Sequence, residues 1–244
     1  MADLAFTDGE LAAYYDALNP WGPADDFYLP LVLAAPTVLD IGCGTGRLLR
    51  RARTRGHDGT LCGLDPAPGM LAVARRDPGV RWVLGELASV SWHAEFELAV
   101  MTGHAFQVLL TDAEILASLR AVHRALVPGG VFAFETRNPL ARPWLRWNPD
   151  AAVEVRGPDG TLVRVEHRVE TPVRGELVHF TETFTSAEWD RPRVSRSSLR
   201  FVSAPALSDL LAEAGFAVER RFGDWSRNPL TVASPEIVTV ARRS

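Results

Sequence analysis

Residues 37 to 46 read TVLDIGCGTG, a short run of strand-forming residues that stops at three closely spaced glycines. The branched residues favour a buried strand, and the glycines let the backbone turn sharply into the helix predicted for residues 48–55. Such a loop also lets a ligand approach the main chain, because no side chain stands in the way. A GxGxG loop alone is weak evidence for any particular ligand.

The acidic residue after the next predicted strand makes the glycine loop stronger evidence for a ligand site. Asp65 comes 19 residues after Gly46, directly after the strand predicted for residues 61–64. A carboxylate at that position can accept hydrogen bonds from both hydroxyls of a ribose. A nicotinamide dinucleotide site prefers GxGxxG, whereas Arg47 follows Gly46 here and the third glycine comes one residue early. The glycine loop and Asp65 together therefore indicate a nucleoside-containing cofactor, and the glycine spacing disfavours a nicotinamide dinucleotide.

Strand and helix patterns alternate around this loop, which predicts a parallel sheet with helices on both faces. Before it, apolar residues at helical spacing predict a short amphipathic helix, which a Thr7–Glu10 capping box would open. After the strand at 131–134 the apolar period changes to two, with a turn at 157–160, which predicts three or four antiparallel strands.

These patterns divide the chain into four parts. We expect a helical cap at residues 1–35, a cofactor-binding core at 36–139, an antiparallel β insertion at 140–202 and the C-terminal part of the core sheet at 203–244. The insertion leaves the fifth strand where ligands of open parallel sheets bind, so it would form either a lid or a dimer surface. A monomer and a homodimer both stay open.

The composition excludes several classes of function. The 244 residues are 47% hydrophobic with a net charge of -4, and all 26 residues counted as Lys+Arg are arginine. The absence of lysine excludes Schiff-base chemistry and a P-loop, and the mild acidity disfavours nucleic acid as a partner.

No apolar run approaches the ~18 residues of a membrane span, and residues 1–10 lack the charge pattern of a signal peptide, so we expect a cytoplasmic protein. Cys43 and Cys62 lack metal-ligand spacing, so no metal is expected.

Three motifs together resemble a known family. VLDIGCGTG at 38–46, Asp65 with Met70 and Leu71 after it, and LVPGG at 126–130 are similar to the class I S-adenosylmethionine-dependent methyltransferases. The resemblance covers about residues 36–138. It implies a Rossmann-like α/β fold, with a seven-stranded, mostly parallel sheet in the order 3-2-1-4-5-7-6 and strand 7 antiparallel. The inserted strands make the layout similar to small-molecule members, such as glycine and amino-sugar N-methyltransferases.

The resemblance also implies the cofactor and its contacts. S-adenosylmethionine would bind with its methionine part at Gly42 and Gly44, its ribose at Asp65 and its adenine at Glu86 and Leu87, and S-adenosylhomocysteine would be the product. Asp40 could instead fix the loop, while Cys43 and Met70 could be packing residues. The full predicted cofactor-binding set is Tyr15, Asp40, Gly42, Cys43, Gly44, Asp65, Pro66, Met70, Glu86, Leu87 and Thr102.

The methyl acceptor is expected near His104, which follows the strand predicted for residues 97–101. The segment lacks the Asn/Asp-Pro-Pro-aromatic motif of adenine and glutamine methyltransferases, which favours another acceptor. A histidine there can orient or deprotonate a hydroxyl or amine, so His104 is the predicted catalytic residue. Alternatively, it lines the cofactor pocket without proton chemistry. Weaker candidates for the pocket are Tyr14, Asn138, His167, His179, Asp224 and Trp225.

The predicted function is methyl transfer from S-adenosylmethionine to a nitrogen or oxygen of a small molecule. Because a fold does not dictate chemistry, two alternatives stay open. The cofactor could serve a nonmethylating reaction such as a cyclisation, or the protein could sense the cofactor without turning it over.

Overall fold

The computed structural model describes residues 3–244, in which strands and helices alternate through the glycine-loop region and an all-β segment follows. The strands in chain order are β1 (Thr37–Ile41), β2 (Thr60–Asp65), β3 (Arg81–Leu84), β4 (Phe96–Met101), β5 (Leu126–Arg137), β6 (Val153–Arg156), β7 (Leu162–Val169), β8 (Leu177–Thr185), β9 (Arg193–Arg200), β10 (Phe216–Phe222) and β11 (Glu236–Arg243).

The N-terminal helical prediction holds only in outline. Three single-turn helices replace one amphipathic helix, and Asp8 rather than Thr7 caps the second of them, accepting hydrogen bonds from the main chain of Glu10 and Leu11. The predicted capping box is wrong because Thr7 already ends the first turn. The helices are α1 (Leu4–Thr7), α2 (Gly9–Ala12), α3 (Tyr15–Leu18), α4 (Pro23–Ala34), α5 (Arg47–Thr54), α6 (Pro68–Ala74), α7 (Asp112–Ala125) and α8 (Ala204–Glu213).

Seven strands form the main sheet in the order β3-β2-β1-β4-β5-β11-β10. The first five are parallel, and β11 runs antiparallel to both β5 and β10. This confirms the predicted strand order, with β10 and β11 as strands 6 and 7. Apolar side chains cover both faces, under α4 and α5 on one side and under α7 and α8 on the other.

The chain direction brings several functional segments to one edge of this sheet. The parallel strands β1, β2, β4 and β5 end there, and the antiparallel β11 begins there. We call it the carboxyl edge. Open α/β sheets bind their ligands outside this edge.

The predicted antiparallel insertion is a separate four-stranded sheet, β6-β7-β8-β9. Leu11 and Tyr14 from the N-terminal turns pack against its Val163, Val165 and Phe184. The N-terminal turns therefore connect the insertion to the core. Among residues 3–244, no helix is both long enough and apolar enough to cross a membrane.

Candidate active site

The glycine loop between β1 and α5 forms a main-chain cradle at the carboxyl edge. Gly42, Gly44 and Gly46 have φ angles of 69°, 55° and 76°, a left-handed conformation that residues with a side chain rarely adopt. At Gly42 an added Cβ would lie 2.9 Å from the Cβ of Ala105, so the loop directly abuts the segment after β4. The predicted cofactor loop and the predicted acceptor segment are therefore in contact.

Asp65, the last residue of β2, holds the glycine loop in place through hydrogen bonds. Its Oδ2 accepts a hydrogen bond of 2.8 Å from the main-chain N–H of Gly44, and its Oδ1 accepts one of 2.8 Å from Ala67. Burial raises the pKa of Asp65, while these two hydrogen bonds lower it. Each carboxylate oxygen keeps a second lone pair. The side chain can therefore hold the loop and still accept a ligand hydroxyl.

Tyr15 covers the cradle from the N-terminal side. Its Cε1 lies 3.9 Å from the position of a Cβ at Gly44, and its hydroxyl lies 3.4 Å from that of a Cβ at Gly103. The ring packs beside Met70 and Ala67 of the segment after β2. Burial raises the pKa of Tyr15 to about 12, so the hydroxyl stays protonated and can donate a hydrogen bond. Tyr15 thus spans the loops after β1 and β4.

Asp40 supplies a second carboxyl group beneath the loop. It is almost completely buried, and its Oδ1 has no hydrogen-bond partner within residues 3–244. Burial, together with the charges of Asp65 and Glu135, raises its pKa to about 8. An unpaired buried oxygen is costly unless another group pairs with it, so a donor from a ligand fits this position.

The other predicted cofactor residues divide into packing residues and rim residues. The side chain of Cys43 packs with Leu71, Ala74 and Trp82 on the far side of the loop, and Leu87 belongs to the core. Pro66 and Glu86 are exposed, and Thr102 is half-buried at the end of β4. Cys43 and Leu87 therefore have packing contacts that account for their burial.

His104 lies at the same edge in an unusual conformation. Its φ is 62°, and its main-chain N–H donates a 2.8 Å hydrogen bond to Oε1 of Glu135 on β5. Its imidazole Nε2 lies 2.9 Å from Oε2 of Glu236, the first residue of β11. Burial and the charge of Arg137 lower the pKa of His104 to about 3, whereas burial raises the pKa of Glu236 to about 7. His104 is therefore neutral at pH 7, whereas Glu236 titrates near neutral pH and is partly a carboxylate there.

Glu135 holds the main chain of His104 in place from the neighbouring strand β5. It is fully buried and accepts a second hydrogen bond, from the hydroxyl of Tyr28 on α4. Burial raises the pKa of both Glu135 and Tyr28. We call the set Tyr28, His104, Glu135, Arg137 and Glu236 the edge cluster.

Arg137 joins the edge cluster to the insertion. Its guanidinium donates a 3.0 Å hydrogen bond to Gln107 and lies 5.2 Å from the centre of the Trp147 ring. Trp147 in turn packs against Phe180 of β8. It also borders a cleft of about 400 Å³ whose walls are Trp144, Leu145, Trp147, Asn148, Pro149, Arg168, Val169, Thr171 and Val173. The cleft is therefore connected to the edge cluster through one aromatic residue.

The weaker candidates from the sequence make contacts with other groups of the protein. His167 pairs with Glu182 at 2.9 Å inside the insertion, and exposed His179 contacts Ser198. The three remaining polar or tyrosine candidates organise loops or pack: Asn138 donates to main-chain carbonyls, Asp224 caps its own turn, and Tyr14 packs on Trp189. Trp225 alone reaches the edge cluster, by packing against Tyr28.

Sequence reasoning missed four members of the edge cluster. A glutamate and an arginine at the end of the apolar strand VFAFETR were a usable signal for Glu135 and Arg137, since acids and bases are rarely buried without a partner. No local pattern identifies Tyr28 or Glu236, because only the strand order brings them to His104.

The chemistry of the edge suits a cationic, nucleoside-containing cofactor. Four carboxyl groups, from Asp40, Asp65, Glu135 and Glu236, lie around it, and their oxygens can accept hydrogen bonds from the ammonium and hydroxyl groups of S-adenosylmethionine. Within residues 3–244 no group of three or more histidine, cysteine or acidic side chains is arranged to hold a metal ion.

Comparisons with known proteins show what the chain is similar to. Residues 38–130 match a family model described as a methyltransferase domain. The chain is 28% identical to a trans-aconitate 2-methyltransferase of Methylobacterium nodulans, over 91% of this chain and 93% of the relative.

Solved structures share the fold of the whole chain. The CcbJ methyltransferase of Streptomyces caelestis superposes with a TM-score of 0.77 at 21% identity, over 98% of both chains. An amino pentose methyltransferase of Micromonospora echinaspora, solved with S-adenosylmethionine bound, gives a TM-score of 0.69 at 24% identity over 95% of both chains. Residues 38–130 therefore form a methyltransferase domain, and the whole chain has the fold of the class I S-adenosylmethionine-dependent methyltransferases.

Proposed function

We propose that the protein transfers the methyl group of S-adenosylmethionine to a nitrogen or oxygen of a small, neutral or cationic molecule in the cytoplasm. The observation that carries this proposal is the contact between the glycine cradle and the His104 segment. One edge of the sheet thus presents a cofactor cradle beside a histidine that is paired with a carboxylate.

The residues of the cradle have distinct tasks in this proposal. The main chain at Gly42 and Gly44 holds the methionine part, Asp65 holds the ribose, and Tyr15 and Met70 close over the cofactor. When bound, S-adenosylmethionine supplies an electrophilic methyl group on a sulfonium. The protein contributes mainly by holding the two reactants close and aligned, which removes much of the entropic barrier.

The charges of the edge favour one kind of acceptor. Arg137 is the cationic member of the edge cluster and is already bonded to Gln107, whereas carboxyl groups surround it. A polycarboxylate acceptor would find Arg137 as its cationic partner in the edge cluster and carboxyl groups around it, so an amine or a hydroxyl compound fits better. One structural neighbour is an amino pentose methyltransferase, in line with this preference, although a relative is named as a trans-aconitate methyltransferase.

The insertion at 140–202 acts in this proposal as a lid over the acceptor. The cleft beside Trp147 lies between the turns after β5 and the end of β7, and Trp147 touches Arg137 of the edge cluster. The part of the acceptor that carries no reacting atom would occupy this cleft.

The first test is binding followed by turnover. We expect calorimetry to show tighter binding of S-adenosylhomocysteine than of NADH. Mass spectrometry should detect S-adenosylhomocysteine formed from S-adenosylmethionine with a panel of amino sugars and hydroxylated sugars, and not with trans-aconitate. Tighter binding of NADH would refute the cofactor, and turnover of trans-aconitate alone would refute the acceptor class.

The lid makes a second prediction, for Trp147→Ala. The variant would lose the apolar contact between Trp147 and the acceptor, which contributes about 1.5–3 kcal/mol. KM for the best acceptor of the panel should therefore rise roughly tenfold or more, while the affinity for S-adenosylhomocysteine stays unchanged. Trp189→Ala is the matched control, because that tryptophan also lies in the insertion under an arginine, Arg193, but packs on Tyr14 away from the cleft. Equal KM values for both variants would remove the cleft from the acceptor site.

A further inference from the structure

The contact between His104 and Glu236 has features of a device that moves a proton. Nε2 of the imidazole lies 2.9 Å from Oε2 of the carboxyl group, and both side chains are largely buried, with 19% and 14% exposed. The other ring nitrogen, Nδ1, makes no hydrogen bond within residues 3–244 and is not enclosed by protein atoms. One nitrogen is thus tied to a carboxyl group, and the other is free for a ligand.

We propose that His104 and Glu236 together accept the proton that the methyl acceptor loses, with His104 as the entry point and Glu236 as the group that stores it. This inference rests on the proposed function and adds to it a residue that no sequence motif identifies. It makes His104 the catalytic residue in contact with the acceptor, and Glu236 a residue that acts through His104.

The step balances as a transfer of one proton through the imidazole. At the start, Nε2–H of neutral His104 donates to the Glu236 carboxylate, and the pair carries one negative charge. An N–H bond of an ammonium acceptor, or an O–H bond of a hydroxyl acceptor, breaks and an Nδ1–H bond forms, while the Nε2–H bond breaks and an O–H bond forms on Glu236. The pair ends uncharged, with the imidazole in its other tautomer, and the acceptor keeps the electron pair that attacks the methyl group.

The surroundings explain why the proton rests on the carboxyl group. In a serine-protease triad the buried aspartate stays ionised and the histidine becomes positive. Here burial and Arg137 lower the pKa of His104 to about 3, whereas burial raises that of Glu236 to about 7. A group that titrates near neutral pH is well matched to general-base catalysis.

Groups on every neighbouring element affect this balance. Arg137 of β5 disfavours an imidazolium and favours the Glu236 carboxylate, while Glu135 of β5 has the opposite effect on His104. Tyr28 of α4 donates its hydroxyl to Glu135, and Tyr15 of α3 stays neutral, so neither adds a charge. Asp40 of β1 has its pKa raised to about 8 and is mostly protonated at pH 7.

The backbone fixes the histidine for this role. His104 has a φ of 62°, which costs energy for a residue with a side chain, and the hydrogen bond from its N–H to buried Glu135 maintains that conformation. Strain of this kind persists where the surrounding structure holds it, and here it directs the imidazole to Glu236.

The test is nuclear magnetic resonance of the protein labelled with ¹⁵N-histidine, measured without cofactor between pH 4 and 9. In the wild-type protein we expect His104 to stay neutral and to change from the Nδ1–H to the Nε2–H tautomer with a midpoint near pH 7. Glu236→Gln should abolish that change. An imidazolium forming between pH 6 and 7, or a tautomer that does not respond to pH, would overturn the proposal.

Turnover gives the second measurement. The acid limb of kcat/KM should have an apparent pKa near 7 in the wild-type enzyme, and Glu236→Gln should move it below pH 5 and lower kcat about 10-fold to 100-fold. Glu182→Gln is the matched control, because it alters the other His–Glu pair, at His167, outside the edge cluster. An unchanged limb in Glu236→Gln would also overturn the proposal. Failure of methyl transfer itself would appear as absent turnover in the wild-type enzyme, while the resonance experiment would still report on the pair.

Discussion

Asp65→Ala is expected to weaken the binding of S-adenosylhomocysteine about a hundredfold or more. The carboxylate holds the N–H groups of Gly44 and Ala67, and it is the residue we assign to the ribose. Hydrogen bonds to a charged group contribute about 1.5–3 kcal/mol each. Loss of the two that the ribose hydroxyls would donate to Asp65 therefore corresponds to at least a hundredfold in affinity. Calorimetry with the wild-type and variant proteins measures this loss.

Two further variants separate the two tasks of Asp65. Asp65→Asn keeps one acceptor oxygen and should lose less affinity than Asp65→Ala. Asp77→Ala is the matched control, because Asp77 also accepts a main-chain hydrogen bond, 2.8 Å from Gly79, in a turn away from the cradle. If Asp65→Ala bound S-adenosylhomocysteine as tightly as Asp77→Ala does, the ribose assignment would be wrong.

The sequence was most informative where chemistry depends on local spacing. The glycines of GCGTG and Asp65 are joined by one strand–helix–strand unit, so their proximity follows from the order of elements alone. The change of apolar period after residue 140 likewise predicted the antiparallel insertion, since a strand alternates its two faces regardless of its partners. The structure confirms the sheet order and the second sheet.

The edge cluster could not be found in this way. Glu236 lies 132 residues after His104 in the chain, and the two meet because β11 is inserted antiparallel beside β5. Tyr28 lies in a helix whose apolar residues all suggest packing, and the glutamate it contacts is 107 residues away. Long-range pairs of polar groups carry no periodic signal, whereas apolar faces do.

The N-terminal error has a similar origin. Thr7 and Glu10 have the spacing of a capping box, but the preceding turn extends through Thr7, and Asp8 has the side chain that reaches the free N–H groups. Contact with the inserted sheet, including the hydrogen bond from Ala5 N–H to Ser195, holds these short turns in place. Tertiary contacts therefore determine where the turns begin and end, as they often do for elements of a single turn.

Glu135→Ala is expected to lower the free energy of unfolding by about 3–5 kcal/mol and to impair turnover at the same time. The carboxyl group is fully buried and accepts hydrogen bonds from Tyr28 O–H and His104 N–H. Its removal leaves two buried donors unpaired, at about 1–3 kcal/mol each. It also releases the N–H of a residue held at a φ of 62°, so His104 would lose the conformation that directs its imidazole to Glu236. Urea denaturation measures the loss of stability, and kcat measures the loss of positioning.

Tyr28→Phe separates these two effects, because it removes one donor and leaves the hydrogen bond to His104 intact. We expect this variant to lose about 1–2 kcal/mol of stability while its pH profile of kcat/KM stays that of the wild-type enzyme. The stability of Glu135→Gln should fall between those of Glu135→Ala and Tyr28→Phe. Its amide oxygen can still accept the hydrogen bond from His104 N–H, but the amide group has no second oxygen for Tyr28. If Glu135→Ala proved as stable and as active as Tyr28→Phe, the hydrogen bond to His104 would contribute nothing to the site. The positioning of His104 would then depend on Glu236 alone.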